Sequence, residues 1–325
     1  MLEQLPVLLL PWFAEHRRDL PWRRDREPYH VWLSEIMLQQ TRVEAVRGYY
    51  LRFLERLPDI AALASAPEDV LLKLWEGLGY YSRVRNLQKA AQCVMEQHGG
   101  EFPQELSAIR ALPGIGDYTA GAIASICFEA PTAAVDGNVL RVILRLTVCA
   151  DSPADVRVRR RIGEELSAVY PAGHCGDFTQ ALMELGATVC LPNGAPQCGA
   201  CPLRALCEAH AQGTELQFPT KPPKKPRRIE EKTVFFLQCG GQYAVRKRPE
   251  TGLLARPAGR AVAAAGRARQ AGNGGGAPAG GAVGRASDRY PENGRTDAHL
   301  HACTVGPARR LADVCGGSAA VHLGG

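Results

Sequence analysis

The sequence predicts a mainly α-helical domain over residues 1–212, and three observations support that prediction. Apolar residues recur at steps of three and four, as they do at Leu71, Leu74, Trp75 and Leu78. Short breaks rich in proline and glycine separate such stretches, and no strand-like alternation persists between them. We therefore expect a series of helices joined by short connections.

The chain of 325 residues is long enough for two domains, each with its own core. Its 39 basic residues against 33 acidic ones suit a polyanionic partner without requiring one. Residues 1–6 carry an acid where a signal peptide needs basic residues, and the apolar run that follows ends at Pro11. That run is too short for a membrane span, so we expect a cytoplasmic protein with no membrane partner.

A hydrophobic-Pro-Gly-hydrophobic-Gly turn at residues 112–116 leads directly into a stretch of small residues, which is typical of a helix-hairpin-helix. Gly114 and Gly116 allow a tight turn that exposes backbone N–H groups at a helix N-terminus, a site for one phosphate of a nucleic acid. About twenty residues later, Asp136 ends an apolar stretch. The pair indicates chemistry on DNA; the alternative is a glycine-rich helix connection beside a helix-capping aspartate.

A second acid, Glu35, lies between two apolar turns of a predicted helix, so we expect it to be partly buried. Burial raises the pKa of a carboxyl group towards the range in which it can donate a proton near neutral pH. The alternative is an ordinary glutamate on a solvated helix face. Together, Glu35 and Asp136 form the pair that glycosidic-bond cleavage needs, a proton donor and a stabiliser of positive charge. Tyr118 offers no amine for a Schiff base, so the predicted reaction ends at an abasic site.

Four of the eleven cysteines crowd into residues 190–207, with seven, two and five residues between successive members. Four close thiolates suit a [4Fe–4S] cluster or a tetrahedral zinc ion. Zinc ribbons more often have two tight pairs, and only one pair here is tight, so the spacing favours the iron–sulfur cluster. We expect that cluster to be structural. The predicted ligands are Cys190, Cys198, Cys201 and Cys207.

The chain changes character after the helical domain. Residues 213–230 alternate proline with lysine and arginine and form a basic linker, which either contacts phosphate or spaces two domains. A β-hairpin is predicted around Gly240 and Gly241. Residues 255–325 contain 18 Ala and 15 Gly and no Lys, Ile, Phe, Trp or Met, so we expect either disorder or a shifted reading frame. A genuine Ala/Gly-rich tail is the alternative.

Several sequence blocks together resemble one family. The blocks include the hairpin, the cysteines and residues 20–23, 35–41, 77–83 and 135–138, and the similarity runs over about residues 4–254. In these blocks the chain resembles the MutY-type adenine DNA glycosylases of the endonuclease III superfamily. The resemblance implies a helix-hairpin-helix DNA glycosylase fold with a [4Fe–4S] subdomain. It also implies a monomer that associates with the bacterial nucleoid through its DNA substrate.

The resemblance further implies removal of adenine mispaired with 8-oxoguanine or guanine in double-stranded DNA, after the adenine has left the base stack. Glu35 would protonate adenine N7, and Asp136 would stabilise the sugar cation. Tyr118 and Asn138 would order the Asp136 carboxylate and the sugar. Other matching positions would contact DNA or the adenine: Trp22, Arg23, Gln40, Thr41, Leu78, Tyr80, Gly114 and Gly116. Gln40 and Tyr80 would wedge into the stack, and for Trp22 core packing is an equal alternative.

The chain departs from the family pattern at two places. Many members have six residues between the first two cysteines, where this chain has seven. Members also continue into a Nudix-like β-rich domain that recognises 8-oxoguanine; residues 231–254 resemble its beginning, but the match stops near Ala255. Two alternative functions stay open, a bifunctional endonuclease III-like glycosylase and lyase, and a catalytically impaired helix-hairpin-helix DNA-binding product of a disrupted gene.

Overall fold

The computed structural model describes residues 1–220 and four strands further along the chain, at 232–239, 242–243, 264–266 and 298–305. The chain divides into two compact units, Met1–Lys224 and Lys225–Gly325, and each is described by itself. Among the described residues, none of the helices combines the length and the apolar character needed to cross a membrane.

The described part of the first unit is helical, as the apolar spacing predicts, with four short 3-10 helices between or beside the α-helices. The α-helices are α1 (Leu5–His16), α2 (Pro28–Leu38), α3 (Val43–Arg56), α4 (Ile60–Ser65), α5 (Glu68–Leu74), α6 (Ser82–Gln97), α7 (Leu106–Ala111), α8 (Asp117–Phe128), α9 (Gly137–Leu146), α10 (Val156–Ser167), α11 (Cys175–Thr188) and α12 (Glu208–Ala211). The 3-10 helices are Leu2–Gln4, Pro21–Arg23, Cys198–Ala200 and Arg204–Leu206.

Two hydrophobic clusters form the core of this unit. The first takes its buried residues from Leu20 through Ala134, and the second combines α1 with residues from Val135 onwards. The chain therefore leaves the second cluster after α1 and returns to it at Val135, one residue before Asp136. Met183 on α11 packs against both clusters, so the boundary between them lies beside α11.

The predicted hairpin consists of α7, the turn at 112–116 and α8. Gly114 has φ +80°, and a Cβ at this position would lie 2.7 Å from the Cβ of Asn86, so both its backbone and its surroundings require glycine. Gly116 is the N-cap of α8 and has open space where a side chain would lie. Asp117 then places an acid in the first turn of α8, where the helix dipole favours it.

The apolar run from Leu71 to Leu78 continues further than its helix does. α5 ends at Leu74, because Gly77 and Gly79 adopt left-handed conformations with φ +101° and +69°. Trp75 and Leu78 nevertheless stay buried, so the spacing predicts their burial correctly and the length of the helix incorrectly.

The described strands of the second unit form one antiparallel sheet around β1 (Lys232–Cys239). β1 pairs with β2 (Gln242–Tyr243) in the hairpin that the sequence predicts, and with β4 (Ala298–Val305) along its whole length. β3 (Ala264–Gly266) pairs with Thr233–Phe235 of β1. β3 and β4 lie within residues 255–325, where we expected disorder. An antiparallel ladder can form there without large side chains, because it pairs backbone groups. The rest of that segment, and residues 221–230 of the linker, lie outside the described residues.

Candidate active site and cysteine cluster

A cavity of about 340 Å³ brings together all four predicted catalytic residues. The 3-10 segment Pro21–Arg23, α2, α8, the start of α9 and α11 all contribute to its wall. The predicted residues among its lining are Trp22, Arg23, Glu35, Gln40, Thr41, Tyr118, Asp136 and Asn138. Leu78, Tyr80, Gly114 and Gly116 do not line it.

Glu35 is buried on α2 and receives a hydrogen bond from Tyr118, whose Oη lies 2.6 Å from Glu35 Oε2. Burial raises the pKa of Glu35 to about 7, and the nearby charge of Asp136 acts in the same direction. The Tyr118 hydrogen bond and the positive charge of Arg23 oppose that rise. Glu35 is therefore the buried acid that the sequence predicts, able to hold or release a proton near neutral pH.

Asp136 is the N-cap of α9. Its Oδ1 accepts a hydrogen bond from the backbone N of Val139, and its Oδ2 accepts one from Asn138 Nδ2, both at 2.7 Å. Burial raises the pKa of Asp136, while these hydrogen bonds oppose the rise. The helix-capping alternative is therefore confirmed, and the same carboxylate also lines the cavity.

Asn138 and Tyr118 have different partners. Asn138 donates to Asp136 as expected, and its Oδ1 accepts from Arg141 Nη2 at 2.8 Å. Tyr118 donates to Glu35, whereas we expected it to order Asp136. Burial raises the pKa of Tyr118 well above its ordinary value, so its hydroxyl remains a neutral donor.

Two charged residues of the cavity wall, Arg18 and Glu184, are missing from the sequence prediction. Glu184 on α11 is fully buried and accepts hydrogen bonds from Arg18 Nε at 2.7 Å, Arg18 Nη2 at 2.8 Å and Arg23 Nη2 at 2.8 Å. Burial opposes ionisation of Glu184, but the two guanidinium groups outweigh it and lower its pKa to about 2. Glu184 could have been predicted from the same signal as Glu35, because it too is a single acid within an apolar helical stretch.

The predicted DNA-contacting residues outside the cavity lie in turns and loops between helices, and all but one of them are exposed. Tyr80 is 62% exposed and has φ +46°, and Gln40, at the rim of the cavity, is exposed with φ +58°. Gly114 and Gly116 lie exposed at the hairpin turn. The exception is Leu78, which is buried in the first hydrophobic cluster, where it packs rather than contacts solvent.

The four clustered cysteines line one small second cavity. Burial is the main cause of the raised pKa of Cys198, Cys201 and Cys207, and for Cys201 the value reaches about 12. Arg145 Nη1 lies 3.2 Å from Cys190 Sγ and can donate a hydrogen bond to it. Four converging thiols, with a cation beside one of them, fit a cluster that requires thiolates.

A mixed ligand set overlaps this site. The Sγ of Cys198, a ring nitrogen of His210 and a carboxylate oxygen of Glu215 lie within 4.8 Å of one another. Sulfur, nitrogen and oxygen ligands together suit zinc. This mixed set differs from the four-thiolate zinc site that the spacing leaves open, and it shares only Cys198 with the four cysteines.

Known proteins match this sequence and this fold. HhH-GPD superfamily base excision DNA repair proteins match residues 33–167. The adenine DNA glycosylase of Rattus norvegicus is 43% identical over 243 residues, which cover 71% of this chain and 46% of the rat protein. That of Buchnera aphidicola (subsp. Baizongia pistaciae, strain Bp) is 36% identical over 249 residues, which cover 75% of this chain and 70% of the relative. The chain belongs to the adenine DNA glycosylase family.

The structure of a thermostable thymine-DNA glycosylase is also similar to this adenine DNA glycosylase family member. It has a TM-score of 0.57 and 28% identity, and the match covers 65% of this chain and 97% of that protein. These matches confirm the resemblance inferred from the sequence blocks and the helix-hairpin-helix glycosylase fold. The chain spans about half the length of the rat relative.

Proposed function

We propose that this protein is a monofunctional DNA glycosylase that removes adenine mispaired with 8-oxoguanine or guanine by hydrolysing the N-glycosidic bond. One observation carries the proposal: Glu35 and Asp136 line the same cavity in contrasting settings. Glu35 is held in a buried site that raises its pKa to about 7. Asp136 is fixed by two hydrogen bonds that favour its ionised form.

The reaction follows from these two settings. Protonated Glu35 donates to N7 of an adenine that has left the base stack, so adenine departs as a neutral molecule with the electrons of the C1′–N9 bond. The Asp136 carboxylate stabilises the positive charge that develops on the sugar. Glu35, now ionised, accepts a proton from the water that attacks C1′, which restores the acid and leaves an abasic site.

The cavity wall supports hydrolysis without strand cleavage. A glycosylase that also cleaves the strand needs an amine that forms a Schiff base with the sugar. No lysine is among the residues that line this cavity in the described part of the chain, and the hydroxyl of Tyr118 donates a hydrogen bond to Glu35. Water is therefore the proposed nucleophile.

Double-stranded DNA would be held outside the cavity. Gly116 is the N-cap of α8 and has open space where a side chain would lie, so a phosphate could approach the first N–H groups of that helix closely. Gln40 and Tyr80 would enter the base stack, and Trp22 and Arg23 would contact the adenine. We propose that the protein acts on this DNA as a monomer.

We propose that Cys190, Cys198, Cys201 and Cys207 hold a [4Fe–4S] cluster. When bound, the cluster would cross-link the segment between α11 and α12 and so have a structural role. Equal iron and sulfide contents, near four of each per chain, would support this ligand set. One zinc ion per chain without iron would refute the cluster, and the zinc would then be held either by the four thiolates or by Cys198, His210 and Glu215.

We also propose that residues 231–254 are the start of a Nudix-like domain that is interrupted by a frameshift near codon 255. Translation of the gene in the other two frames from that codon tests this idea. A continuation with strand-like alternation and with Trp and Phe would support it, and two frames lacking such a segment would refute it. With the sequence as it stands, the preference for 8-oxoguanine over guanine should be weak.

A strand-cleavage assay tests the glycosylase function. Duplexes with adenine opposite 8-oxoguanine, guanine or thymine are incubated with the protein and then treated with alkali, which cleaves abasic sites. We expect cleavage after alkali only, and least for adenine opposite thymine. Cleavage without alkali, with a covalent complex trapped by borohydride, would establish the bifunctional alternative. Absence of cleavage after alkali, with DNA binding retained, would establish a binding protein.

Glu35→Gln tests the proton donor. We expect it to bind the mispaired duplex and to release no adenine, because the amide cannot donate a proton of comparable acidity. Glu15→Gln is the matched control, since that side chain is 79% exposed and lies outside the cavity lining. Normal excision by Glu35→Gln would overturn the assignment.

A further inference from the structure

Arg83 makes an unusual number of contacts for a buried residue of this fold. It lies on α6 and is 9% exposed. Its guanidinium group lies within hydrogen-bonding distance of five backbone carbonyls and one hydroxyl. Such a set suits a planar group with several fixed donors and is hard to satisfy with any other side chain.

One nitrogen of the group binds the end of α2. Nη1 lies 2.9 Å from the carbonyl oxygen of Ile36, 3.0 Å from that of Met37 and 2.6 Å from that of Gln39. Carbonyls at a helix C-terminus lack partners within the helix, and a cation there also interacts favourably with the helix dipole. Arg83 therefore completes the end of the helix that carries Glu35.

The other nitrogen mainly binds a second loop. Nη2 lies 2.9 Å from the carbonyl oxygen of Leu78 and 3.3 Å from that of Gly79, and 3.4 Å from Thr41 Oγ1. The Arg83 guanidinium also lies over the rings of Trp75 and Tyr80, 5.4 Å and 5.6 Å from their centroids. A single side chain thus joins the loop after α2 to the loop before α6.

Both loops have strained backbone at the residue proposed to enter the base stack. Gln40 has φ +58° and Tyr80 has φ +46°, although neither is glycine. Left-handed conformations of such residues persist only where the surroundings hold them. Arg83 binds the carbonyl of the residue directly before each of them, Gln39 and Gly79.

We propose that Arg83 is a positioning residue that fixes Gln40 and Tyr80 relative to each other and to the helix that carries Glu35. The inference rests on the proposed function. It adds that opening of the base stack and protonation of the adenine depend on one buried guanidinium group that contacts neither DNA nor adenine. A lysine cannot take its place, because an ammonium group has three donors around one nitrogen and cannot span both loops.

Arg83→Lys tests the proposal in the full chain, with Arg85→Lys as the matched control. Arg85 lies on the same helix and pairs with Glu68. Single-turnover excision is measured on duplex with adenine opposite 8-oxoguanine, and extrusion is followed by the fluorescence of 2-aminopurine placed at the adenine position. The burst amplitude counts folded active enzyme, so the rate constant can be measured even where part of the variant is unfolded.

For Arg83→Lys we expect the single-turnover rate constant to fall by about tenfold or more, equivalent to the loss of one hydrogen bond to a charged group. The 2-aminopurine signal should fall with it, while DNA affinity stays near that of the unmodified protein because phosphate contacts dominate it. Arg83→Gln, whose amide can serve only one loop, should show the same pattern. Arg85→Lys should change neither rate nor fluorescence.

Two outcomes separate this inference from the proposed function. An unmodified protein that releases no adenine refutes the proposed function. An active unmodified protein, with Arg83→Lys and Arg83→Gln losing only burst amplitude and retaining its rate constant and fluorescence signal, refutes the role of Arg83 alone, since a purely structural residue would give that result.

Discussion

Burial of Glu35 affects the chemistry and the stability of the protein together. Its carboxyl group lies among apolar side chains with Tyr118 as its hydrogen-bond donor, and its pKa is raised to about 7. A proton donor is most useful when its pKa lies near the working pH. The same burial makes ionisation of this residue unfavourable for the folded state.

The pH dependence of excision should follow the protonation of Glu35. The protonated form is the proposed donor, so the single-turnover rate constant should fall by about tenfold per pH unit once the pH exceeds about 7. It should also fall in acid, as Asp136 takes up a proton and loses the charge that stabilises the sugar cation. A rate constant that stays level from neutral to alkaline pH would contradict the role of Glu35.

Glu35→Gln should lose excision activity and gain stability above pH 7. Because burial raises the folded-state pKa of Glu35 above its ordinary value of 4.5, the wild-type protein loses stability as the pH rises from 4.5 through about 7. The rise corresponds to about 3 kcal/mol, so Glu35→Gln should exceed wild type in free energy of unfolding by up to that amount above pH 7. Below pH 4.5 the two should converge. Urea unfolding below pH 4.5 and above pH 7 measures the difference. Equal stability at alkaline pH would show that burial does not disfavour ionisation of Glu35.

At the scale of the element, Asp136 caps α9 and lines the cavity with the same carboxylate. Its two functions can be separated, because a helix cap needs an oxygen acceptor whereas stabilisation of the sugar cation needs a negative charge. α11 packs tightly against the start of α9, since a Cβ at Gly186 would lie only 2.5 Å from the Cβ of Asn138.

Two variants of Asp136 test its helix-capping role and its proposed catalytic role separately. Asp136→Asn retains an oxygen for the Val139 N–H but no longer accepts from Asn138 Nδ2, so it should lose excision while keeping the cap of α9. Asp136→Ala should lose excision and also about 1 kcal/mol of stability, the usual cost of removing a cap. Thermal unfolding and the alkali assay measure the two properties. Appreciable excision by Asp136→Asn would show that the charge is dispensable.

The sequence predicts most of the site because its chemistry is local. The hairpin follows from glycine at Gly114, and an acid in an apolar helical stretch predicts the burial of Glu35. Pairings across the fold are not local. The partner of Tyr118, the two arginines on Glu184 and the loops joined by Arg83 depend on how helices pack, which a single sequence does not encode in any short pattern. The end of α5 is missed because the apolar spacing continues through the glycines that terminate the helix.

At the scale of the whole molecule, the segment that contains the four clustered cysteines, residues 190–207, packs onto the rest of the helical unit. Residues from it, including Cys190, Cys201 and Leu203, pack against the second hydrophobic cluster. Arg145 connects the segment to α9 through the thiol of Cys190 and the carbonyl oxygens of Leu191 and Phe218. A bound cluster would hold this segment together where short 3-10 helices alone provide little regular structure.

Cys201→Ser should therefore destabilise the unit through loss of the cluster. We expect its iron content to fall, its cysteine segment to be cut faster by proteases, and its melting temperature to drop by roughly 5 °C or more. Cys93→Ser, at a half-buried cysteine of α6, is the control and should keep the metal. A fully loaded and equally stable Cys201→Ser would exclude that thiol as a ligand.

The crossing of the chain from one hydrophobic cluster to the other at Val135 anchors the two acids to different cores. Glu35 lies on α2, whose buried apolar residues belong to the first cluster, while Asp136 caps α9, whose buried apolar residues belong to the second. Repacking deep in either core can therefore alter the gap across which a nucleoside must fit, even when every residue that touches the nucleoside is retained. Second-site changes that restore a damaged enzyme should accordingly be found within either core, as well as beside Met183, which packs against both clusters and lines the cavity.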